Sequence, residues 1–487
     1  MAKTELVFVP LPGVGHIGSA VELAKVLIDR DERLSFTVVV MKMPFDTKTG
    51  KFVESLAKKN ISGRIRFVEL PSIEFDPNDT SNRTLSSLIE TQKPLVREAV
   101  SKLIKPESSP DSPQLGGFVV DMFCTQFIDV ANEFGLPSYV FFTSSATYLG
   151  LMLYIQSLHD DQKVDPTKFE GSDVELSPPT STVPIPAKVL PAMMSSKDSL
   201  YTFILQPSRG FRHARGIVVN TFTELESYAI NTLTNDDGIN APPIYPVGPI
   251  LTKSHEETSS QDSIMQWLDE QASSSVLFLC FGTLGSFGAD QVKEIALALE
   301  RSGHHFLWSL REPTSNEKKQ YLSPDEVLPA GFLDRTAEIG KVIGWAPQTT
   351  ILAHKAIGGF VSHCGWNSTL ESLWYGVPIA TLPIYGEQQV NAFLLVEEWG
   401  LGVEIKMDFR RNIFVEIPST TTVIVAADVI ERGIKSVMEG DNEVRKRVKE
   451  MSKKCRQALM EGGSSHASLG YLIEDIINNV SPVKMNR

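Results

Sequence analysis

Residues 345–388 read WAPQTTILAHKAIGGFVSHCGWNSTLESLWYGVPIATLPIYGEQ. Within them, Gly358–Val361 is a short apolar strand, Ser362–Trp366 a tight turn, Asn367–Tyr375 a helix and Pro378–Pro383 a second strand. A strand that turns directly into a helix leaves the first backbone N–H groups of that helix free, with the helix dipole behind them. That arrangement is an anion site. His363, Asn367 and Ser368 add side-chain donors, so a diphosphate fits there without Lys, Arg or metal. Trp345 follows a strand of its own, Val342–Gly344, and an exposed indole there suits stacking on a planar base. Gln348 can reach the base or ribose edge. Glu371, one turn after Asn367, can hold two vicinal ribose hydroxyls. Glu387 and Gln388 follow the second strand, and an acid beside an amide suits the hydroxyls of a sugar. Taken singly, each residue has a plainer reading: core Trp, solvated Glu or Gln, an Asn or Ser helix cap.

The same alternation extends outward in both directions. Upstream, Val276–Phe281 and Phe306–Leu310 read as strands and Asp290–Ser302 as a helix. Near the N-terminus, Leu6–Pro10, Phe36–Met41, Ile65–Leu70, Gly117–Val120, Tyr139–Phe142 and Ile217–Val219 are continuous apolar runs. Continuous rather than alternating apolar strands imply parallel sheets covered on both faces. Ile17, Ala20, Val21, Ala24, Leu27 and Ile28 share one helical face. Residues 235–262, rich in Pro, Gly, Asn and Ser, read as a linker. Amphipathic helices follow at Ala426–Met438 and Glu443–Glu461, then a last one at about Ser465–Asn479. Two α/β domains result, with a ligand expected in the crevice at the carboxyl ends of the strands.

Gly13-Val14-Gly15-His16-Ile17-Gly18 matches G-x-G-x-x-G after a strand, as a dinucleotide-binding turn does. That reading needs an acid at the end of the second strand, where this chain has Val40-Met41-Lys42. The other feature of the loop is His16, at a strand end and near a helix N-terminus that favours its neutral form. Asp121 ends another strand on the same edge and can accept the second ring N–H of His16. A capping histidine and an ordinary N-cap aspartate are the plainer readings. Asp29-Arg30-Asp31 is a D-x-D string, and it reads as solvated surface.

The chain has 487 residues and a net charge of −13. At about 150 residues per domain, that length allows two to four domains. The charge argues against general nucleic-acid or anionic-membrane binding. Four unclustered cysteines, with no C-x-x-C, fit a reducing compartment. No signal peptide or membrane span is read, so a soluble cytoplasmic protein is expected.

The block from Trp345 to Gln388 resembles the C-terminal signature of plant family 1 UDP-sugar-dependent glycosyltransferases, position by position. Pro12–His16 and Asp121 are similar to that family's N-terminal loop and partner acid. The resemblance implies the α/β GT-B fold, two Rossmann-like domains facing across a cleft. It places the acceptor domain at 1–247, the UDP-sugar domain at 248–464, and at 465–487 a helix returning to the N-terminal domain. It implies His16 as catalytic base and Asp121 as its orienting acid. Thr283, Trp345, Ala346, Gln348, His363, Trp366, Asn367, Ser368 and Glu371 would bind UDP, and Thr143, Glu387 and Gln388 the sugar. The implied enzyme is a hexosyltransferase moving glucose from UDP-glucose to a hydroxyl, with inversion. It needs no cofactor or metal and acts as a monomer.

Phe123, Phe127, Tyr148, Met152, Met193 and Met194 are candidate lining for an apolar acceptor pocket. Such a pocket with one base suits flavonoids, other phenols or terpenoid alcohols, the class that the resemblance implies. A non-catalytic UDP-sugar or small-molecule binding protein would keep the C-terminal block without needing His16 and Asp121. An NAD-dependent oxidoreductase would need the ribose-binding acid that the second strand lacks. A UDP-sugar epimerase would need further acid/base groups where the acceptor sits.

Overall fold

The computed structural model describes residues 3–42, 47–58, 63–73, 85–104, 113–236, 238–251, 259–283, 285–311, 324–410 and 423–479. Seven strands build the first sheet: β1 Thr4–Val9, β2 Leu34–Val40, β3 Ile65–Glu69, β4 Gln114–Asp121, β5 Ser138–Phe142, β6 Gly216–Val219 and β7 Ile244–Pro246. Their order is β3-β2-β1-β4-β5-β6-β7, all parallel. Six strands build the second: β8 Val276–Cys280, β9 His305–Ser309, β10 Gly340–Ile343, β11 Ile357–Ser362, β12 Ile379–Thr381 and β13 Gly402–Glu404. Their order is β10-β9-β8-β11-β12-β13, again all parallel. Buried side chains fill both faces of each sheet, as continuous apolar strands require.

Five helices matter for the site: α1 Val14–Arg30, α2 Ala146–Asp160, α3 Thr223–Asn235, α4 Trp366–Tyr375 and α5 Ser464–Asn478. The face of α1 read from the sequence is the buried one: Ile17, Ala20, Val21, Ala24, Leu27 and Ile28 are all buried. Helix α2 carries no such signal. It is apolar almost all round, because nearly every side is covered, so no helical period shows in the sequence. Strands β7 and β13 are three residues each, too short for a pattern. β7 also corrects the linker, since Ile244–Pro246 lies inside the segment read as irregular and pairs with β6. The middle of that segment, 252–258, lies outside the described residues.

Helix α5 lies on the N-terminal sheet. Leu469, Leu472, Ile473 and Ile476 share a core with Leu6, Phe8 and Ile17. Each such buried side chain stabilises by about 1.5–3 kcal/mol. The Tyr139 hydroxyl donates to Asp475 at 2.7 Å, and Arg215 reaches the same carboxylate at 2.6 Å. Residues 480–487, the end of the expected C-terminal segment, lie outside the described residues. No helix among the described residues is long and apolar enough to cross a membrane.

Candidate active site

Strands β1 and β4 are neighbours, with Val9 level with Val120. The residues just past their carboxyl ends therefore meet. His16 sits in the first turn of α1, and its Nδ1 is 2.7 Å from Oδ2 of Asp121, the last residue of β4. The other oxygen of Asp121 accepts the Phe123 N–H at 3.0 Å, so the buried carboxylate is held from both sides. The imidazole is partly open, with 29% of its side chain exposed, which leaves Nε2 available. Its pKa departs from the expectation drawn from the helix end. Burial favours the neutral ring, but the Asp121 charge and hydrogen bond, with the charge of Glu387, outweigh it and raise the pKa above the ordinary value.

The second sheet supplies the facing wall. Trp345 follows β10 and is 50% exposed, so its ring is open for stacking, while Ala346 beside it is buried. Gln348 opens a short helix, and its amide donates to Ser368 Oγ at 2.8 Å and to Glu371 Oε2 at 2.6 Å. Those three residues form one hydrogen-bonded group. Burial pushes the Glu371 carboxyl up to about 7, against the pull of the Gln348 amide. Strand β11 ends at Ser362, and Cys364 adopts φ 61, an uncommon conformation for a non-glycine residue. That turn delivers Gly365 as the N-cap of α4, without a side-chain cap. Asn367 is therefore inside the helix rather than its cap. Its amide donates across the cleft to Ser19 Oγ of α1 at 3.1 Å, and its Oδ1 is buried without a partner among the described residues.

His363 is buried and its pKa is lowered to about 4 by burial. At neutral pH it offers a ring N–H rather than a positive charge to an anion. Its ring lies against Gly282, which has φ 74 and where a Cβ would come within 2.5 Å of Nε2. Thr283, next along, is exposed. The Trp366 indole N–H is engaged across the cleft. Its Nε1 donates to the Asn220 carbonyl of the N-terminal domain at 2.7 Å.

Beyond β12, Gln388 begins a helix and is buried. Its Oε1 accepts the Ile384 and Tyr385 N–H groups at 2.9 and 3.0 Å, which leaves its NH2 to donate. Glu387 is half-buried. Burial raises its carboxyl pKa, opposed by the charge of His16, so the two domains meet electrostatically at these residues. Thr143 is half-buried beside Met122, one residue past Asp121.

Of the apolar candidates, Phe123 and Met193 are partly exposed. Phe123 lies 6.1 Å edge-on from His16. Phe127 and Met152 have no exposed surface and belong to the core instead. Tyr148 and Met194 are also almost fully buried. Tyr148 nevertheless faces the cleft electrostatically, since Glu387, after burial, adds to its raised pKa. Phe203, 5.8 Å edge-on from Phe123, carries no sequence signal because it falls in a short segment without a period. Ser19, Asn220 and Glu226 are likewise invisible in the sequence, because nothing local marks their partners in distant parts of the chain. The Asp29-Arg30-Asp31 string is partly engaged: Arg33 binds Asp31 at 2.6 Å. Among the described residues, no three His, Cys, Asp or Glu side chains group as metal ligands.

Two facing parallel α/β domains, a stacking-and-anion cradle on one and a His–Asp pair on the other, define a GT-B glycosyltransferase. The family model "UDP-glucoronosyl and UDP-glucosyl transferase" matches residues 243–410. A UDP-glucose flavonoid 3-O-glucosyltransferase of Fragaria ananassa is 51% identical over 97% of this chain and 98% of its own length. An anthocyanidin 3-O-glucosyltransferase of Manihot esculenta is 51% identical over 95% of this chain and 100% of its own. A transferase from Siraitia grosvenorii, crystallised with UDP, superposes with TM-score 0.85 at 46% identity, covering 98% of this chain and 100% of that one. The chain belongs to the plant family 1 UDP-dependent glycosyltransferases.

Proposed function

We propose that this enzyme transfers glucose from UDP-glucose to a hydroxyl of a small apolar acceptor, with inversion, giving a β-O-glucoside. One observation carries the reading: His16 Nδ1 is held 2.7 Å from the buried Asp121 carboxylate while its ring stays partly exposed. His16 Nε2 takes the acceptor's hydroxyl proton as that oxygen attacks the anomeric carbon, and Asp121 stabilises the imidazolium. The bond from the anomeric carbon to the diphosphate breaks, and its electron pair leaves with UDP. The free N–H groups that open α4 meet that charge, with a ring N–H of His363. Trp345 stacks on uracil, Ala346 and Gln348 hold the base and ribose edge, and Glu371 holds the ribose hydroxyls. Thr283, Asn367 and Ser368 serve the diphosphate, and Thr143, Glu387 and Gln388 the glucose.

The relatives' names, flavonoid and anthocyanidin 3-O-glucosyltransferases, support a flat phenolic acceptor. A Medicago truncatula relative crystallised with UDP-glucose, TM-score 0.84 at 40% identity over 97% of this chain and 98% of that one, supports the donor. Phe123, edge-on to His16, and the partly exposed Met193 suit such an acceptor, and terpenoid alcohols fit the same apolar chemistry. We place the acceptor domain at 1–247, the donor domain at 248–464 and the returning helix at 465–487. The enzyme on this reading is metal-independent, monomeric and cytoplasmic. Incubation with UDP-glucose and a panel of phenols and triterpenoids, scored by product mass, tests it. A mass gain of one hexose on a phenol is expected; UDP binding with no product on any acceptor would favour a non-catalytic binding protein.

A further inference from the structure

The segment that follows β6 touches both walls of the cleft. Asn220 is fully buried. Its carbonyl accepts the Trp366 indole N–H from the first turn of α4 at 2.7 Å. Its side-chain amide clasps one backbone residue of the crossover: Oδ1 accepts the Ile250 N–H at 2.7 Å, and Nδ2 donates to the Ile250 carbonyl at 3.2 Å. Thr221, next in the chain, accepts the Gly248 N–H on its carbonyl at 2.7 Å. Gly248 lies so close that a Cβ there would sit 2.6 Å from the Thr221 nitrogen. Ser465 of α5 closes the group by donating to the Gly248 carbonyl at 2.6 Å.

A second chain of bonds leaves Thr221 in the other direction. Its hydroxyl donates to Glu226 Oε2 at 2.5 Å. Glu226 has non-helical φ −124 and ψ 40 inside α3, and that kink aims its carboxylate inward. The residue is 2% exposed, and three further donors from the start of α2 converge on its carboxylate. The Ala146 N–H, the Thr147 N–H and the Thr147 hydroxyl each donate at 2.9 Å. The loop just before α2 carries Thr143, half-buried beside Met122, which follows Asp121. Burial raises the Glu226 pKa while the four donors pull it back, as expected for a buried acid whose acceptor capacity is used.

A buried carboxylate with four donors is expensive to keep for stability alone, because a well-packed apolar group often does as well. What this one provides is a fixed geometry. The bonds run Trp366–Asn220, Thr221–Glu226, Glu226–Ala146 and Thr147, from the first turn of the donor helix to the first turn of the acceptor helix. Misplacement of reacting groups by about 1 Å costs on the order of 100-fold in rate without loss of ground-state binding. We propose that Asn220–Glu226 is a positioning strut, in which Trp366 and Glu226 act through Thr221 to fix the donor turn against the acceptor loop. Trp366 thereby serves the reaction through its indole contact with the N-terminal domain, while its backbone N–H remains among those that open α4.

The proposal rests on the glucosyl-transfer reading, and wild-type turnover of UDP-glucose with a phenol tests that reading first. The variants are Trp366→Phe, which keeps a ring and removes the N–H, and Thr221→Val, which removes one donor from Glu226 at equal volume. Each should lower kcat about 10-fold, with KM for UDP-glucose and the Kd of UDP unchanged within about twofold. The double variant should lose less than the product of the single losses, because both break the same strut. Glu226→Gln, which keeps one oxygen for two of the donors and turns an NH2 toward the other two, should lose more kcat than either; Glu226→Asp should recover part of it. A purely structural role would lower the melting temperature and leave kcat per folded enzyme at the wild-type value. That result, or a loss expressed in UDP affinity, overturns the strut while leaving the transfer reading intact.

Discussion

Replacing Asp121 with Asn tests the His16 assignment through the geometry around the carboxylate. Oδ1 of Asp121 accepts the Phe123 N–H at 3.0 Å, and that donor keeps an oxygen facing it after the substitution. The new NH2 must therefore face His16 Nδ1, 2.7 Å away in the native pair. Nδ1 then has to accept, which moves the ring proton to Nε2, the atom that must take the acceptor's proton. The volume is conserved and the site is buried, so UDP binding on the other domain is untouched. Loss of positioned general-base catalysis is worth about 10²–10⁴-fold in kcat, or roughly 3–5 kcal/mol of barrier. The substitution also removes the charge that outweighs burial and raises the His16 pKa. The base form of a group with a raised pKa appears only at higher pH, so lowering that pKa moves the acid limb of kcat/KM to lower pH. Initial rates of UDP release across roughly pH 5.5–9, at fixed acceptor, read both effects. A rate within about threefold of wild type, with the acid limb unmoved, would refute the orienting role of Asp121.

Glu371 should make UDP affinity pH-dependent: its folded pKa near 7 means the carboxylate is lost as pH falls through 7, and UDP binding weakens there. Calorimetry on Glu371→Gln should show weaker binding at high pH and a flatter slope, and an unchanged slope would exclude this carboxylate as the source. Gln388→Ala removes the acceptor of the Ile384 and Tyr385 N–H groups, and should change the preference between UDP-glucose and UDP-galactose more than the acceptor ranking. Competition assays with both donors check it. Gly282→Ala puts a Cβ within 2.5 Å of His363 Nε2 at a φ of 74. It should weaken UDP by about tenfold, at a strain cost of roughly 1–3 kcal/mol; wild-type Kd would mean that His363 does not serve the diphosphate.

The donor wall is legible in the sequence because its chemistry is local. His363, Asn367 and Glu371 sit on one strand–turn–helix run, where spacing alone brings side chains together, and Trp345 and Gln348 follow the strand just before it in the chain. The His16–Asp121 pair is legible for a different reason. Both follow apolar strands, and parallel neighbours present their carboxyl ends on one edge. What stays hidden depends on packing across the cleft. Nothing near Trp366 marks Asn220 as its partner, and nothing near Asn367 marks Ser19. The sequence misleads on the charge of His16 because it shows a helix end, while the opposing weight of a carboxylate at 2.7 Å depends on distance. Helix α2 is hidden because complete burial erases the period that reveals a helix. For the same reason, Phe127 and Met152 read as pocket lining when they fill the core.

The most direct measurement compares wild type and His16→Ala in two assays on the same preparations: UDP-glucose turnover with a phenolic acceptor, and UDP affinity by calorimetry. The account predicts turnover reduced by at least about 10²-fold with UDP affinity within about twofold of wild type, since the base and the nucleotide cradle lie on opposite domains. Turnover equal to wild type, or turnover and UDP affinity lost together, would contradict it.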